Sequence, residues 1–181
     1  MMHEDTNQIH TTVVRRATRE DASQASNVLI RSIREICAKD YGHDQAILAR
    51  WCANKTVENV TEWMLHPAHY FLVAEAPSLG IVGVGLLYMP TGEIALCYIV
   101  PEVLHQGVGK RLLTAMEQQA STLGHAHVCL ESSVTARDFY LRNGYHPNGA
   151  STHRNQITGF PMIKYFENQQ PSQALFPART P

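Results

Sequence analysis

The stretch Y-I-V-P-E-V-L-H-Q-G-V-G-K-R-L-L, Tyr98–Leu113, decides the fold of this chain. An apolar strand ends at Pro101, and a loop with two glycines then opens an amphipathic helix predicted over 108–123. Glycine lets successive backbone N–H groups point into one concavity, and a helix N-terminus adds about half a positive charge there. The segment predicts a site for a phosphate or pyrophosphate, although a tight turn without a ligand has the same pattern.

Two common phosphate-binding motifs do not fit this spacing. A P-loop has the pattern G-x-x-x-x-G-K-S/T, whereas here Leu104 occupies the first glycine position and Arg111 follows Lys110. A dinucleotide fingerprint, G-x-G-x-x-G, needs a third glycine where this chain has Leu112. What remains is a short G-x-G loop whose backbone amides face the ligand.

A second segment, Leu130–Tyr145, reads L-E-S-S-V-T-A-R-D-F-Y-L-R-N-G-Y. It predicts a strand followed by a helix over 133–143 that Gly144 closes. Ala136 and Tyr140 are four residues apart and therefore share one helix face. The small residue leaves room for a ligand, and the tyrosine hydroxyl is then placed to donate a proton to it. A half-buried core tyrosine is the alternative interpretation.

Together the two segments resemble the acyl-CoA-binding motifs of the GNAT superfamily of N-acetyltransferases. The first is similar to Q/R-x-x-G-x-G/A, except that Leu104 stands where the family has Gln or Arg. The second is similar to N-x-x-A-x-x-F-Y-x-x-x-G-F/Y, with Ser133 at the Asn position, and its E-S-S-x-T-A-x-x-F-Y fragment looks like a bacterial branch. The resemblance covers residues 13–167 and implies one α/β domain with a single mixed sheet.

The resemblance also implies roles for particular residues. Tyr140 would protonate the departing CoA thiolate, Arg137 would approach a nucleotide phosphate, and Ser133 would contact the pantetheine arm. The amides expected to hold the pyrophosphate form the amide loop, Gln106, Gly107, Val108, Gly109 and Lys110. The strand edge expected to pair with the pantetheine arm belongs to Ile99 and Val100.

Acetyl transfer to an amine needs a route for one proton, because an alkyl amine with a pKa of about 10 is mostly protonated at neutral pH. Glu93 precedes the amide loop on a strand where the family often has a base, and Glu131 ends the next parallel strand. A chain of waters would also serve. Solvated or capping carboxylates are the alternative for both residues.

The loop between the first two predicted helices carries acidic and aromatic residues, including Asp40 and Tyr41. In the family this loop lines the acceptor site, so these two residues are predicted to contact the acceptor. An acid and an aromatic ring suit a cationic amine, although ordinary loop composition explains them equally well. We expect the acceptor between 36–44 and 148–160, opposite the cofactor.

Periodicity along the whole chain predicts the order β-α-α-α-β-β-β-α-β-α-β-β. The predicted strands cover 13–17, 70–75, 81–89, 93–100 and 126–130, with one more opening at Tyr145 and a last one at 161–167. The first helix covers 19–37, and Asp44 and Thr56 cap the next two. Aperiodic ends predict a loose arm at 1–12 and an extended tail at 168–181.

Composition excludes several other classes. Fifteen Lys and Arg and sixteen Asp and Glu give a net charge of -1. The chain therefore lacks the excess of positive charge that is typical of proteins that bind nucleic acid or anionic membranes. The start of the chain lacks a signal-peptide pattern, and the longest apolar run, Leu79–Met89, is too short for a membrane span. Four cysteines without a C-x-x-C pair are typical of a reduced cytoplasmic protein. His125 and His127 lack a third ligand, so no metal site is expected.

We therefore expect an N-acetyltransferase that moves acetyl from acetyl-CoA to a primary amine of a small molecule or peptide by direct attack. The alternative is a CoA-binding sensor or interaction module that kept the fold and lost the chemistry. Leu104 favours that alternative, and the retained Tyr140 disfavours it. The acceptor and the oligomeric state, including a homodimer, stay open because acceptor loops vary freely on one scaffold.

Overall fold

The computed structural model describes residues 12–166. Except for Thr12, the predicted N-terminal arm and the whole predicted C-terminal tail lie outside the described residues. The strands are β1 (Val13–Arg16), β2 (His69–Ala76), β3 (Gly80–Tyr88), β4 (Glu93–Ile99), β5 (His127–Ser132), β6 (His146–Pro147), β7 (Thr152–Arg154) and β8 (Ile157–Tyr165). The helices are α1 (Ala22–Glu35), α2 (Ala38–Tyr41), α3 (Gln45–Cys52), α4 (Val57–Leu65), α5 (Val108–Thr122) and α6 (Arg137–Arg142).

Three helical segments begin at the caps that the sequence predicts. The Asp44 carboxylate accepts hydrogen bonds from the backbone N–H groups of Ala46 at 2.8 Å and Ile47 at 3.1 Å at the start of α3. The Thr56 hydroxyl caps α4 in the same way. Thr18 and Asp21 form a capping box before α1. Such caps satisfy N–H groups that have no partner inside the helix.

The sheet is mixed, as predicted, with strand order β1-β2-β3-β4-β5-β8-β6 and β7 paired with β8. Only β4 and β5 run parallel, and a single register pair, Glu93 with Cys129, joins them. Beyond that pair β4 stays with β3 and β5 stays with β8 from His127 to Ser132. The two parallel strands therefore separate toward their C-terminal ends and leave a wedge in the sheet.

The hydrophobic core lies on both faces of this sheet. Helices α1 and α5 each pack against β3 and β4 but not against each other, so the sheet lies between them. Two glycines of β3 allow the close approach of α5. A Cβ at Gly83 would lie 2.8 Å from Leu112, and a Cβ at Gly85 would lie 3.1 Å from Met116. No helix within residues 12–166 combines the length and the apolar character that crossing a membrane requires.

The structure corrects three element boundaries. The helix predicted over 133–143 begins only at Arg137, because the residues before it form a turn. The hairpin of β7 and β8 was not predicted, since its two turn residues, Asn155 and Gln156, adopt positive φ angles of 51° and 67° without the usual glycine. For the same reason the last strand begins at Ile157 and runs through Pro161 instead of starting there.

Candidate active site

The wedge between β4 and β5 opens into a cavity of about 1410 Å³. β4 lines it with Cys97, Tyr98 and Ile99, and the end of β5 lines it with Glu131 and Ser132. The start of α5 and helix α6 form one wall, and α3 and the β7–β8 hairpin form another. Cavities at the C-terminal ends of parallel strands are a common place for ligands in α/β proteins.

The amide loop presents backbone N–H groups at the start of α5. Gly107 is the N-cap, with a left-handed φ of 80°, and His105 before it also has a positive φ of 62°. The first helical hydrogen bond runs from the Arg111 N–H to the Gly107 carbonyl at 3.0 Å. The amides of Val108, Gly109 and Lys110 therefore have no helical partner and suit an anion.

Two residues assigned to the cofactor in the sequence make internal bonds instead. The Gln106 N–H donates to the Val103 carbonyl at 3.3 Å, and the Gln106 side chain donates to the Glu102 carbonyl at 2.9 Å. The Val100 N–H donates to the Val82 carbonyl at 3.0 Å. Because peptide groups alternate along a strand, the neighbouring Ile99 turns its N–H toward the wedge. Of the predicted strand edge, Ile99 reaches the cavity and Val100 is buried beneath it.

Tyr140 lines the cavity although its side chain is almost fully buried. The thiol of the nearby Cys97 donates to the Gly109 carbonyl at 3.8 Å. Burial, followed by the nearby Cys97, raises the pKa of Tyr140 well above its usual value. Burial also raises the pKa of the Cys97 thiol to about 12. Both groups are therefore protonated at neutral pH, which is the state that a proton donor needs.

The two other predicted cofactor contacts lie in the same cavity. The Ser133 hydroxyl accepts a hydrogen bond from the Ala136 N–H at 3.2 Å, which closes the turn before α6. The Arg137 guanidinium lies 4.6 Å from the centre of the Phe160 ring. Leu104, which replaces a polar residue of the family motif, lines the cavity with its side chain partly exposed.

The two candidate bases occupy different places. Glu131 lines the cavity, and its carboxylate accepts a hydrogen bond from the Thr152 hydroxyl at 2.7 Å. Glu93 lies at the closed point of the wedge, beside Cys129, and does not line the cavity. The structure therefore brings only Glu131 into the space that it shares with Tyr140.

Asp40 and Tyr41 do not line the cavity. Asp40 is buried, and one of its carboxylate oxygens accepts from the backbone N–H groups of Val134 at 2.6 Å and Thr135 at 3.3 Å. The buried Tyr41 donates its hydroxyl to the Arg34 carbonyl at 2.9 Å. The first contact holds the turn before α6 in place, and the second ties α2 to the end of α1.

Sequence reasoning missed several residues of the cavity. They are the charged Lys39, Arg50, Lys55, Arg142 and Arg154 and the aromatic Trp51 and Tyr98. Arg50 reaches across to the β7–β8 hairpin, where it donates to the Gln156 side chain at 3.0 Å. No local motif could join Arg50 to this hairpin, because Arg50 and Gln156 are 106 residues apart in sequence and meet only in the folded chain.

The two histidines considered as metal ligands make separate contacts. The His125 ring nitrogen lies 2.7 Å from the Met89 carbonyl, and the His127 ring packs 5.5 Å from that of Tyr165. Within residues 12–166 no three His, Cys, Asp or Glu side chains gather into a group that could hold a metal ion.

An open mixed sheet with an amide loop beside two diverging parallel strands defines the class of acyltransferase-like α/β domains. A family model described as an acetyltransferase (GNAT) domain matches residues 37–166. The match spans most of the chain, and the chain therefore belongs to the GNAT acetyltransferase family. A comparison with curated proteins found no match.

Solved structures share this fold. A GCN5-related N-acetyltransferase from Rhodopseudomonas palustris is 23% identical, with a TM-score of 0.75 over 86% of this chain and 96% of that one. The PaiA N-acetyltransferase from Thermoplasma acidophilum, crystallised with coenzyme A, is 20% identical, with a TM-score of 0.74 over 86% and 99%. An aminoglycoside 6′-acetyltransferase type Ii is 18% identical, with a TM-score of 0.59 over 84% and 96%. At these identities the likeness shows the fold alone.

The contacts of Asp40 predict a structural role for this residue. We expect Asp40→Ala to lower the free energy of unfolding by about 1–3 kcal/mol, because two part-buried hydrogen bonds to a carboxylate oxygen are lost. Asp40→Asn keeps one accepting oxygen and should cost less. Urea denaturation at neutral pH measures both values. A fully stable Asp40→Ala protein with a raised amine KM would instead support the acceptor role.

The amide loop predicts the effect of a charge at residue 109. We expect Gly109→Asp to weaken CoA binding at least about tenfold, because the new carboxylate faces the ligand's phosphates. Gly109→Ala is the matched control, since it adds a Cβ 3.4 Å from Phe139 without a charge. Calorimetry measures affinity, and the melting temperature checks the fold. Equal CoA affinity in the aspartate variant and the wild type would place the phosphates elsewhere.

Proposed function

We propose that this protein transfers the acetyl group of acetyl-CoA to a primary amine of a small molecule or peptide. The amine attacks directly, with no covalent enzyme intermediate. One observation carries the proposal: Tyr140 and the first residues of α5, whose amides have no helical partner, line the same cavity. The first is a proton donor, and the second is an anion-binding group.

The residues present suit acetyl-CoA, which supplies the acetyl thioester when bound. The amides of Val108, Gly109 and Lys110 would hold the pyrophosphate, and the Ile99 edge of β4 would pair with the pantetheine arm. Ser133 and Arg137 line the cavity next to these groups. The PaiA structure of the same fold contains coenzyme A, which supports this assignment.

Tyr140 would act as the general acid. Its hydroxyl is protonated at neutral pH, as a phenol ordinarily is, and a thiolate leaves more easily when it meets a proton donor. Its ring is held in place by edge-on contacts with Phe139 at 5.1 Å and Tyr145 at 5.5 Å. A fixed ring reduces the reorganisation that proton transfer would otherwise need.

Glu131 would act as the general base. Its carboxylate lines the cavity and is oriented by the Thr152 hydroxyl, so it can take a proton from the amine directly or through one water. Glu93 could act only through a longer water chain, because it lies outside the cavity lining.

Tyr140→Phe tests the proposal. It keeps the ring and removes the hydroxyl, so we expect kcat to fall at least about tenfold with CoA affinity unchanged. Tyr145→Phe is the matched control, because it also removes a buried hydroxyl, one that donates to Glu117 at 2.9 Å outside the cavity. The control should lower stability and spare kcat.

Free-thiol release from acetyl-CoA with a panel of amines measures these rates. Full kcat in Tyr140→Phe, with chemistry limiting turnover, would contradict the acid assignment. A protein that binds CoA tightly but releases no thiol with any amine would be the CoA-binding module instead.

A second pair of variants tests the base. We expect Glu131→Gln to lower kcat/KM at neutral pH at least about tenfold, because the amine loses its proton acceptor. Glu93→Gln removes an equal charge outside the cavity lining and should leave kcat/KM close to the wild-type value. If kcat/KM fell only in Glu93→Gln, then Glu93 and not Glu131 would be the base. Full activity in both variants would favour a chain of waters as the route for the proton.

A further inference from the structure

The cavity wall has a strong excess of positive charge, although the whole chain carries a net charge of -1. Its acidic side chains are Glu131 and Asp138. Its basic side chains, apart from histidine, are Lys39, Arg50, Lys55, Lys110, Arg137, Arg142 and Arg154. The acids of the chain are therefore concentrated elsewhere, and the cavity attracts anions.

These cavity cations have no carboxylate partners among the side chains described. Every ion pair found within residues 12–166 is formed by Arg15, Arg31 or Lys164, and none of the three lines the cavity. Arg50 donates to the neutral Gln156, and the buried Lys55 donates to the neutral Asn54 at 2.6 Å. Charges that lack an internal partner are available to a ligand.

The phosphates of CoA account for only part of this excess. Lys110, Arg137 and Arg142 belong to the start of α5 and to α6, the wall that carries the amide loop. Lys39, Arg50 and Lys55 belong to the α2–α3 region, and Arg154 belongs to β7. The hydrogen bond from Arg50 to Gln156 joins these last two segments. These four cations form a second group, which belongs to elements other than the amide loop and α6.

The α2–α3 region of this second group also contains Asp40, whose side chain is buried. Asp40 uses one oxygen to accept from the amides of Val134 and Thr135 and does not line the cavity. A polycationic acceptor would meet like charges here, with few acids to offset them. Apolar side chains alternate with the cations on this wall, namely Ile36, Ile47, Trp51 and Ile157.

We propose that the acceptor is an amine that also carries an anionic group, a carboxylate or a phosphate, beside an apolar body. Arg50 and Arg154 would hold the anionic group, with Lys39 beside them. The proposal rests on the acetyltransferase function proposed above and names the substrate class of that site. The same cations would disfavour the ammonium form of the bound amine, and so would lower its pKa and favour the attacking form.

Matched pairs of amines test the substrate class. One pair is L-phenylalanine and L-phenylalaninamide, and the other is phosphoethanolamine and ethanolamine, with spermidine as a polycation. Rates are compared per concentration of free amine, because the amide has a lower amine pKa than the acid. We expect at least one acidic member to exceed its neutral partner about tenfold in kcat/KM. The pair that shows the gain identifies the anionic group. The proposal would be overturned if spermidine or the neutral partners were acetylated with a kcat/KM equal to that of the acidic amines.

Charge variants locate the anionic group. We expect the double variant Arg50→Gln with Arg154→Gln to raise the KM of the acidic amine about tenfold or more and to leave the acetyl-CoA KM unchanged. Arg19→Gln is the control, because this exposed arginine lies outside the cavity and its loss changes the net charge by one. An unchanged KM in the double variant would overturn the assignment of these arginines.

A binding measurement separates this proposal from the enzyme function. Inorganic phosphate is titrated into CoA-saturated protein by calorimetry, so that the amide loop is already filled. We expect binding that is lost in the double variant and kept in Arg19→Gln. The absence of phosphate binding, combined with acetylation of neutral amines, would overturn the anionic acceptor and leave the acetyltransferase function intact. Failure to bind CoA at all would overturn the function itself.

Discussion

The separation of β4 and β5 is the constraint on which the rest of this structure depends. The two strands are parallel neighbours, yet they share only the register pair of Glu93 with Cys129. Beyond that pair each strand keeps its other neighbour, so the backbone groups on the inner edge of β4 stay open to a ligand. A fully paired sheet would leave no cavity between the strands and would bury the edge at Ile99.

Several local turns and hydrogen bonds hold the elements around this cavity in place. Gly107 turns the chain so that α5 begins with its free amides at the wedge. Asp40 ties the turn before α6 to α2 through two backbone amides. Beneath Tyr140, the Tyr145 hydroxyl and the Lys164 ammonium both donate to Glu117. A network with its polar groups satisfied is rigid, and this one ties β8 to α5.

The charged side chains that line the cavity are mainly positive, although the chain as a whole is almost neutral. A net charge of -1 gives the chain as a whole no general attraction for polyanions. The cavity wall, however, contains seven Lys and Arg side chains and only two acidic ones. Electrostatic attraction in a partly enclosed site is stronger than on an open surface, because less water screens it. The cavity can therefore attract anions although the chain as a whole has a net charge of -1.

The amino-acid sequence by itself determined what depends on neighbouring residues. The strand–loop–helix of 98–113, the caps at Asp44 and Thr56 and the position of Tyr140 on its helix follow from glycine geometry, short-range hydrogen bonds and periodicity. These features predicted the order of strands and helices and the amide loop, and the resemblance of the two motifs to GNAT acetyltransferases implied the mixed sheet and the family. They could not predict the start of α6 at Arg137, since the turn before it depends on Asp40, which is more than ninety residues away.

Only the tertiary structure decided which carboxylate shares the cavity with Tyr140, why Asp40 is buried, and which cations line the cavity. Each of these depends on segments that are distant in the chain and meet across the wedge, as Arg50 and Gln156 do. A side chain's role at such a place is decided by its partners in space, because burial and pairing determine whether a charge is used internally or is left for a ligand.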